Sequence, residues 1–344
     1  MRIKLKRTKV ILALSLCIAL LSGCGVNKIV KNMRNYNLNQ DIINYLEKEK
    51  YSGSAMVVMD DMIRFSDGFG CIDSEKSKNI VAEDFFEIGS ITKQMTAAAI
   101  LKLNDENKLN INDSLDKYFP EYKNGDKITL RNLLNMNSGI KDYLYDEKYK
   151  DSYPEDIKED VKNTILNYEW DSDDFGKYEY CNSNYFLLGL IIEMCTNMEY
   201  IEYMKQEFFE PIGMVDTQMA VSERVKASGK TNGNMSYPVE FTFSAGSLVG
   251  TVYDLYQWEM AYWNGKIISP SYLNEIKEYD GEYIYGWKKE GNVAYHLGQT
   301  INFKSIVYRD LEDGTEIILL SNDKKTKCEK LATTLAGYVK NRVK

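Results

Sequence analysis

The chain has 344 residues and a formal charge of -8 at neutral pH, with 51 acidic side chains against 43 basic ones. An acidic surface repels nucleic acid and anionic wall polymers, so neither is expected as the main ligand. One histidine, His296, and cysteines at wide, irregular spacings leave no ordinary zinc site and no disulfide framework to read; no metal or other cofactor is expected.

The first residues are basic (Arg2, Lys4, Lys6, Arg7, Lys9) and lead into an apolar run from Val10 to Leu21. That is the pattern of a secretory signal, shorter than a membrane span requires. The small residues of Leu21-Ser22-Gly23 before Cys24 resemble a bacterial lipoprotein signal, cleaved before Cys24 and lipidated on its sulfur. An ordinary signal peptide or an uncleaved anchor is the alternative. The expected partition is a signal peptide over 1–23, a lipid-anchored tether over 24–35 and one folded domain over 36–344. The signal carries five basic and no acidic side chains, so the 321 residues that follow hold a charge near -13. They suffice for one large core or two smaller ones. The lipid, not a basic patch, would then hold the protein to the outer side of the cell membrane.

Apolar residues Leu38, Ile42, Ile43 and Leu46 fall at helical spacing over 36–49. Two alternating runs, 54–59 and 62–65, flank Asp60-Asp61 and predict a β-hairpin that continues towards Gly68-Phe69-Gly70. Next comes Phe85-Phe86-Glu87-Ile88-Gly89-Ser90-Ile91-Thr92-Lys93, then an alanine-rich run: an apolar approach, a glycine turn and the start of a buried helix. A helix beginning near Ser90 sets Ser90 and Lys93 one turn apart on one face, with the hydroxyl at the positive end of the helix dipole. The amine can take the hydroxyl proton and the helix end favours the resulting anion. The same spacing also fits Ser90 as a helix N-cap and Lys93 as a solvated first-turn residue. Spacing alone does not decide.

Residues 108–122 read as an ordered loop containing Pro120. A helix follows over 128–134 with Thr129 as its cap, stopping at Asn137-Ser138-Gly139. The stretch 142–174 has no clean period and is expected to form solvated helices and loops over the site. Phe186 to Met194 is an apolar helix entered through Tyr180-Cys181-Asn182. Residues 244–250 form a glycine loop, with a helix over 251–263 behind it. Three strands follow, around 293–296, 303–308 and 315–320, and then a helix over about 325–339. Together with the N-terminal hairpin these strands predict an α+β fold (an α/β sandwich). An antiparallel sheet drawn from both chain ends is flanked by helices, with a mostly helical domain inserted at about 95–280.

In this order the pieces resemble the serine β-lactamase and penicillin-binding superfamily, in its class C-like branch of D-Ala-D-Ala carboxypeptidases, D-aminopeptidases and esterases. The resemblance covers roughly residues 40 to 325. It runs through Ser90-x-x-Lys93, the Leu109 to Pro120 segment, the 128–134 helix, Tyr180-x-Asn182 and Ala245-Gly246 with Asp254. It ends on His296-x-Gly298 and Leu319-Leu320-Ser321-Asn322. It implies that Ser90, Lys93 and Tyr180 are catalytic and that Asn182, His296 and Gly298 bind substrate. The oxyanion hole would be the backbone N–H groups of Ser90 and Gln299. A phenol beside Lys93 could share a proton and serve as general base, although Tyr180 also fits a core tyrosine. Asn182 offers a donor and an acceptor, for a substrate amide and for Lys93. Gly298 would let a substrate backbone approach as an added strand, and His296 would assist the base or meet a substrate carboxylate. Glu106-Asn107-Lys108-Leu109-Asn110 and Lys230-Thr231-Asn232 are near-misses of other superfamily motifs and are set aside.

Two departures stand out. Relatives often carry His-Thr-Ser-Gly where this chain has Met136-Asn137-Ser138-Gly139. They usually have glycine where Asn302 precedes Phe303; asparagine tolerates a left-handed turn there. A helix of about 16 Å, at ~1.5 Å per residue, keeps Cys181 and Cys195 apart, whereas Cys71 and Cys328 could meet. Cys181, between two motif residues, is expected close to the reaction centre. The implied function is an extracytoplasmic, monomeric serine hydrolase forming an acyl-enzyme on D-alanine-containing peptides, β-lactams or related amides and esters. The alternative is a catalytically weak, penicillin-recognising or wall-fragment-binding lipoprotein.

Overall fold

The computed structural model describes residues 38–72, 78–219 and 237–343. The expected signal, Cys24 and the tether lie outside them. Strands β1 (Gly53–Met59) and β2 (Met62–Phe69) form the expected hairpin. Asp60 and Asp61 turn it, both at positive φ, a conformation aspartate takes more readily than most residues. Two short strands, β3 (Phe86–Glu87) and β4 (Gln218–Met219), flank β5 (Leu248–Gly250) in a small separate sheet. From the C-terminal part come β6 (Tyr283–Ile284), β7 (Trp287–Glu290), β8 (Val293–Gln299), β9 (Lys304–Asp310) and β10 (Glu316–Ser321). The main sheet runs β2-β1-β10-β9-β8-β7-β6 and is antiparallel throughout.

Helix α1 (residues 38–48) precedes the hairpin. Between β3 and β6 lie α2 (Thr92–Asp105), α3 (Leu130–Leu134), α4 (Ile157–Leu166), α5 (Asn182–Thr196), α6 (Tyr200–Met204), α7 (Val239–Gly246), α8 (Val252–Trp263) and α9 (Pro270–Glu278). The chain closes with α10 (Cys328–Val343). Strand alternation sets the layers. Ala55, Val57, Ile317 and Leu319 face α1 and α10, meeting Leu38, Ile42, Leu46, Leu331 and Leu335. Met56, Val58, Ile318 and Leu320 face the helical block. Both faces of β1 and β10 are covered, which is why their central stretches, 55–59 and 317–320, are apolar without a gap.

Local signals decide several boundaries. Thr129 caps α3 in a capping box with Asn132, whose side chain accepts from the Thr129 N–H. Helix α2 is buried almost all round, and its Ala97-Ala98-Ala99 run permits that close packing. The structure also departs from the sequence reading. The Tyr283–Glu290 hairpin, turning on Tyr285 and Gly286 at positive φ, extends the sheet by two strands. The expected glycine loop at 244–250 is instead the end of α7 followed by β5. Asn302 does not adopt positive φ; Thr300 N–H donates to the Phe303 carbonyl at 3.0 Å and closes that turn. Cys71, Cys181, Cys195 and Cys328 are all free thiols.

One buried cluster has a consequence for stability. Glu259 of α8 and Glu316 of β10 are fully buried neighbours. Trp263 Nε1 donates to Glu259 Oε2 at 2.9 Å, and Arg309 donates to Glu316 Oε2 at 2.9 Å. The second oxygen of each carboxyl has no partner. One arginine cannot neutralise two buried carboxylates, so one proton is retained. Burial raises Glu259 from 4.5 to about 8. The folded state therefore holds a proton that the unfolded chain releases above about pH 4.5, and stability falls as pH rises towards 8. The slope is at most about 1.4 kcal/mol per pH unit. Burial raises Glu316 as well, with the neighbouring Glu259 adding to the rise, so Glu259→Gln keeps the acceptor for Trp263 and removes one of two titrating carboxyls. Its melting temperature should fall less between pH 5 and pH 8 than that of the wild type; equal slopes would show that this carboxyl does not titrate there.

Candidate active site

The turn Gly89–Ile91 precedes α2, so Ser90 stands one tight turn ahead of the helix instead of at its first residue. Gly89 has φ +55, and a Cβ there would meet Gln299 N at 2.8 Å. Only glycine lets the Ser90 turn lie this close to the end of β8. The Ser90 and Gln299 backbones, named for the oxyanion hole, are thereby brought side by side.

Lys93 follows one turn later and is fully buried. Its Nζ lies 3.0 Å from Ser90 Oγ, 2.8 Å from Asn182 Oδ1 and 2.7 Å from the Ala245 carbonyl. The ring of Tyr180 lies 4.9 Å away, centroid to Nζ. Burial pulls the amine down from 10.5 to about 7, against the opposing pull of Asp142 and Cys181. An ammonium uses three donors here, one for each partner. A neutral amine has two protons and a lone pair. Asn182 Oδ1 and the Ala245 carbonyl can only accept, so they take the two protons and the lone pair is left for Ser90. The site therefore holds a base aimed at a hydroxyl.

Tyr180 is half-buried and lies beside Lys93 and Ser90. Burial pushes its phenol well above the ordinary range, and the Ser90 hydroxyl offsets part of that. The neutral phenol suits proton relay better than proton abstraction. Cys181, next along the extended entry to α5, faces the other way: its Sγ donates to the Ile140 carbonyl at 3.0 Å. The thiol is thus turned to the Ile140 carbonyl, yet it stays near enough to Lys93 to act on the charge of the amine.

His296 is buried, with Nδ1 donating to the Leu297 carbonyl at 2.8 Å and Nε2 accepting from Tyr283 Oη at 3.1 Å. Burial and the charge of Lys93 pull it down to about 3, so the ring is neutral. Both its nitrogens are engaged within the protein. A Cβ at Gly298 would meet the Ile88 carbonyl at 2.0 Å and Ser305 Oγ at 2.1 Å. Packing of β8 on the Ser90 turn thus already requires glycine. Strand β7 pairs with β8 only as far as Tyr295, and among the described residues no strand pairs with 296–299 on that side. That edge is open to an added strand.

Two contributors escaped the sequence reading. One is the Ala245 carbonyl. Phe243 takes φ 38 and ψ -131 inside α7, a strained geometry for a non-glycine residue. The kink releases the Ser244 and Ala245 carbonyls from the helix ladder towards Thr96 Oγ1, at 2.7 Å, and Lys93. The small residues of 244–246 were the available signal. The other is Asp142, whose Oδ2 accepts from Asn182 Nδ2 at 2.8 Å. Met136, at the departure from the family pattern, is buried, and its sulfur accepts from Cys181 N at 3.3 Å.

Residues 38–339 match the Beta-lactamase family model. Among curated proteins, the putative penicillin-binding protein PbpX of Bacillus subtilis is 28% identical over 308 residues, spanning 86% of this chain and 76% of that protein. Protein flp of Staphylococcus aureus is 26% identical over 315 residues; the match takes in 84% of this chain but only 63% of flp. Among solved structures, FmtA of S. aureus superposes with a TM-score of 0.77 at 24% identity, covering 90% of this chain and 88% of FmtA. D-amino acid amidase of Ochrobactrum anthropi SV3 also gives 0.77, at 21% identity, over 90% of this chain and 99% of the amidase. At these identities the two superpositions establish a shared fold.

The state of Lys93 sets a pH dependence. Its folded value of about 7 means the lone pair is free above that pH and protonated below it. Reaction of Ser90 with an electrophilic probe should rise with pH and reach half its plateau near 7. A rate flat from pH 5 to pH 9 would remove Lys93 as the base.

Proposed function

The chain belongs to the β-lactamase family, and from that premise we propose that it is a serine hydrolase acting through an acyl-enzyme on Ser90. The observation that carries this is the surroundings of Lys93: two partners that only accept, and Ser90 Oγ at 3.0 Å. Ser90 Oγ attacks the substrate carbonyl carbon while its proton passes to Lys93 Nζ. The oxyanion is held by the N–H groups of Ser90 and Gln299. The proton then moves through Tyr180 to the leaving nitrogen or oxygen, and water later releases the acyl group by the reverse relay.

The substrate is an amide or ester whose chain lies along the free edge of β8. D-alanine-containing peptides, β-lactams and esters are the classes this reading admits; the names of the penicillin-binding and amidase relatives support the first two. The action is placed outside the cytoplasm, on a chain anchored through lipid on Cys24. The support is the basic start, the short apolar run and the Leu21-Ser22-Gly23-Cys24 sequence.

Intact mass after incubation with a fluorophosphonate, a penicillin and a D-Ala-D-Ala peptide tests the mechanism. The wild type should gain the mass of at least one adduct. Ser90→Ala should gain none while melting at the same temperature, since Ser90 is half-buried and fills no core position. An adduct that persists in the variant would overturn the assignment. A penicillin adduct that forms and never decays would instead favour the recognition lipoprotein over the hydrolase.

A further inference from the structure

Among the described residues, Asn182 is the only side chain besides Ser90 that hydrogen-bonds Lys93, and its amide could sit either way round. One orientation presents oxygen to the amine; the other presents an NH2 group that repels the ammonium and satisfies nothing. Asp142 decides between them. Its Oδ2 accepts from Asn182 Nδ2 at 2.8 Å, which leaves Oδ1 for Lys93 Nζ at 2.8 Å. The carboxylate is itself fixed, since Oδ1 of Asp142 accepts from Leu144 N at 3.0 Å and caps the following turn.

The segment carrying Asp142 is laced to the start of α5 at several points. Ser138 Oγ donates to Asn184 Oδ1 at 2.6 Å, and Cys181 Sγ to the Ile140 carbonyl at 3.0 Å. Ser183 Oγ donates to the Lys141 carbonyl at 2.6 Å and accepts from Tyr143 N at 3.0 Å. Residues 138–143 therefore ride on the same helix that presents Asn182, and the carboxylate is held rigidly against the amide. Such lacing exceeds what a surface turn needs.

We propose that Asp142 is a positioning residue of the catalytic set. It locks the Asn182 amide with its oxygen towards Lys93 and lends negative potential to the amine without touching the substrate. The inference rests on the acyl-enzyme reading for its catalytic consequence, but the effect on Lys93 is a property of the folded protein. The groups facing Lys93 are Ser90, Tyr180, Asn182, the Ala245 carbonyl and the Tyr185 ring, with Asp142, Cys181 and the neutral His296 beyond. Asp142 is the one carboxyl side chain in this set. Its pull on Lys93 is upward, opposing burial. Removing the charge should therefore make the amine lose its proton at lower pH.

The test uses Asp142→Asn and Asp142→Ala in the full chain. The Lys93 13Cε resonance of lysine-labelled protein is titrated, and the rate of fluorophosphonate labelling is followed against pH. In Asp142→Asn both the resonance midpoint and the rising limb of the labelling rate should move to lower pH together. An amide oxygen remains to accept from Asn182, so the plateau should fall little. Asp142→Ala loses the acceptor, and its plateau should drop about tenfold or more, as misplaced catalytic groups do. Should the alanine variant fail to fold, the asparagine variant alone carries the test. An unmoved midpoint and limb in Asp142→Asn would overturn the proposal. A midpoint shifted in Asp142→Asn, with no probe labelling even the wild type, would uphold the positioning role and overturn the acyl-enzyme reading instead.

Discussion

A lysine amine buried without a salt bridge is the constraint on which the site depends. Among the described residues Lys93 has no carboxylate within bonding distance; its partners are a hydroxyl, an amide oxygen and a backbone carbonyl. Burying a full charge in that setting is costly, and the amine responds by giving up its proton near neutrality. A weak acid thereby becomes a usable base at physiological pH. Each partner comes from a different element: the Ser90 turn before α2, the first residue of α5 and the end of α7. The inserted helical block is what gathers them.

Closeness of backbones is the price of that gathering, and small residues supply it. Gly89 admits the end of β8, and Gly298 admits the Ile88 carbonyl. A Cβ at Gly189 would meet Ser244 Oγ at 1.9 Å, so α5 and α7 could not approach with any side chain there. The strained Phe243 adds a conformational cost of about 1–3 kcal/mol, offset by the two carbonyls it turns towards Thr96 and Lys93. Rigidity of this kind keeps reacting groups within fractions of an ångström, which is what proximity catalysis requires.

Features set by near neighbours in the chain were legible from the sequence. The Asp60-Asp61 hairpin, the Thr129 cap and the one-turn spacing of Ser90 and Lys93 all depend on residues a few positions apart. The sheet from both chain ends followed from alternating apolar runs. What was not legible depends on distant partners. Asp142 reaches Asn182 across 40 positions and Lys93 reaches Ala245 across 152, and no local pattern announces either. The Tyr283–Glu290 hairpin was missed because its strands are too short for alternation to show. His296 could be located by its motif, but its neutrality comes from burial and the charge of Lys93, which only tertiary structure reveals. Gly298 likewise reads as a substrate feature in sequence, whereas packing against Ile88 and Ser305 already demands it.

The central claim is that Ser90 attacks and that the Ser90 and Gln299 amides receive the oxyanion. A crystal structure of the protein after reaction with a phosphonate ester tests both at once. The account predicts phosphorus bonded to Ser90 Oγ, with one phosphonyl oxygen between the two backbone N–H groups. Phosphorus on another side chain, or an oxygen turned away from Gln299 into solvent, would contradict it.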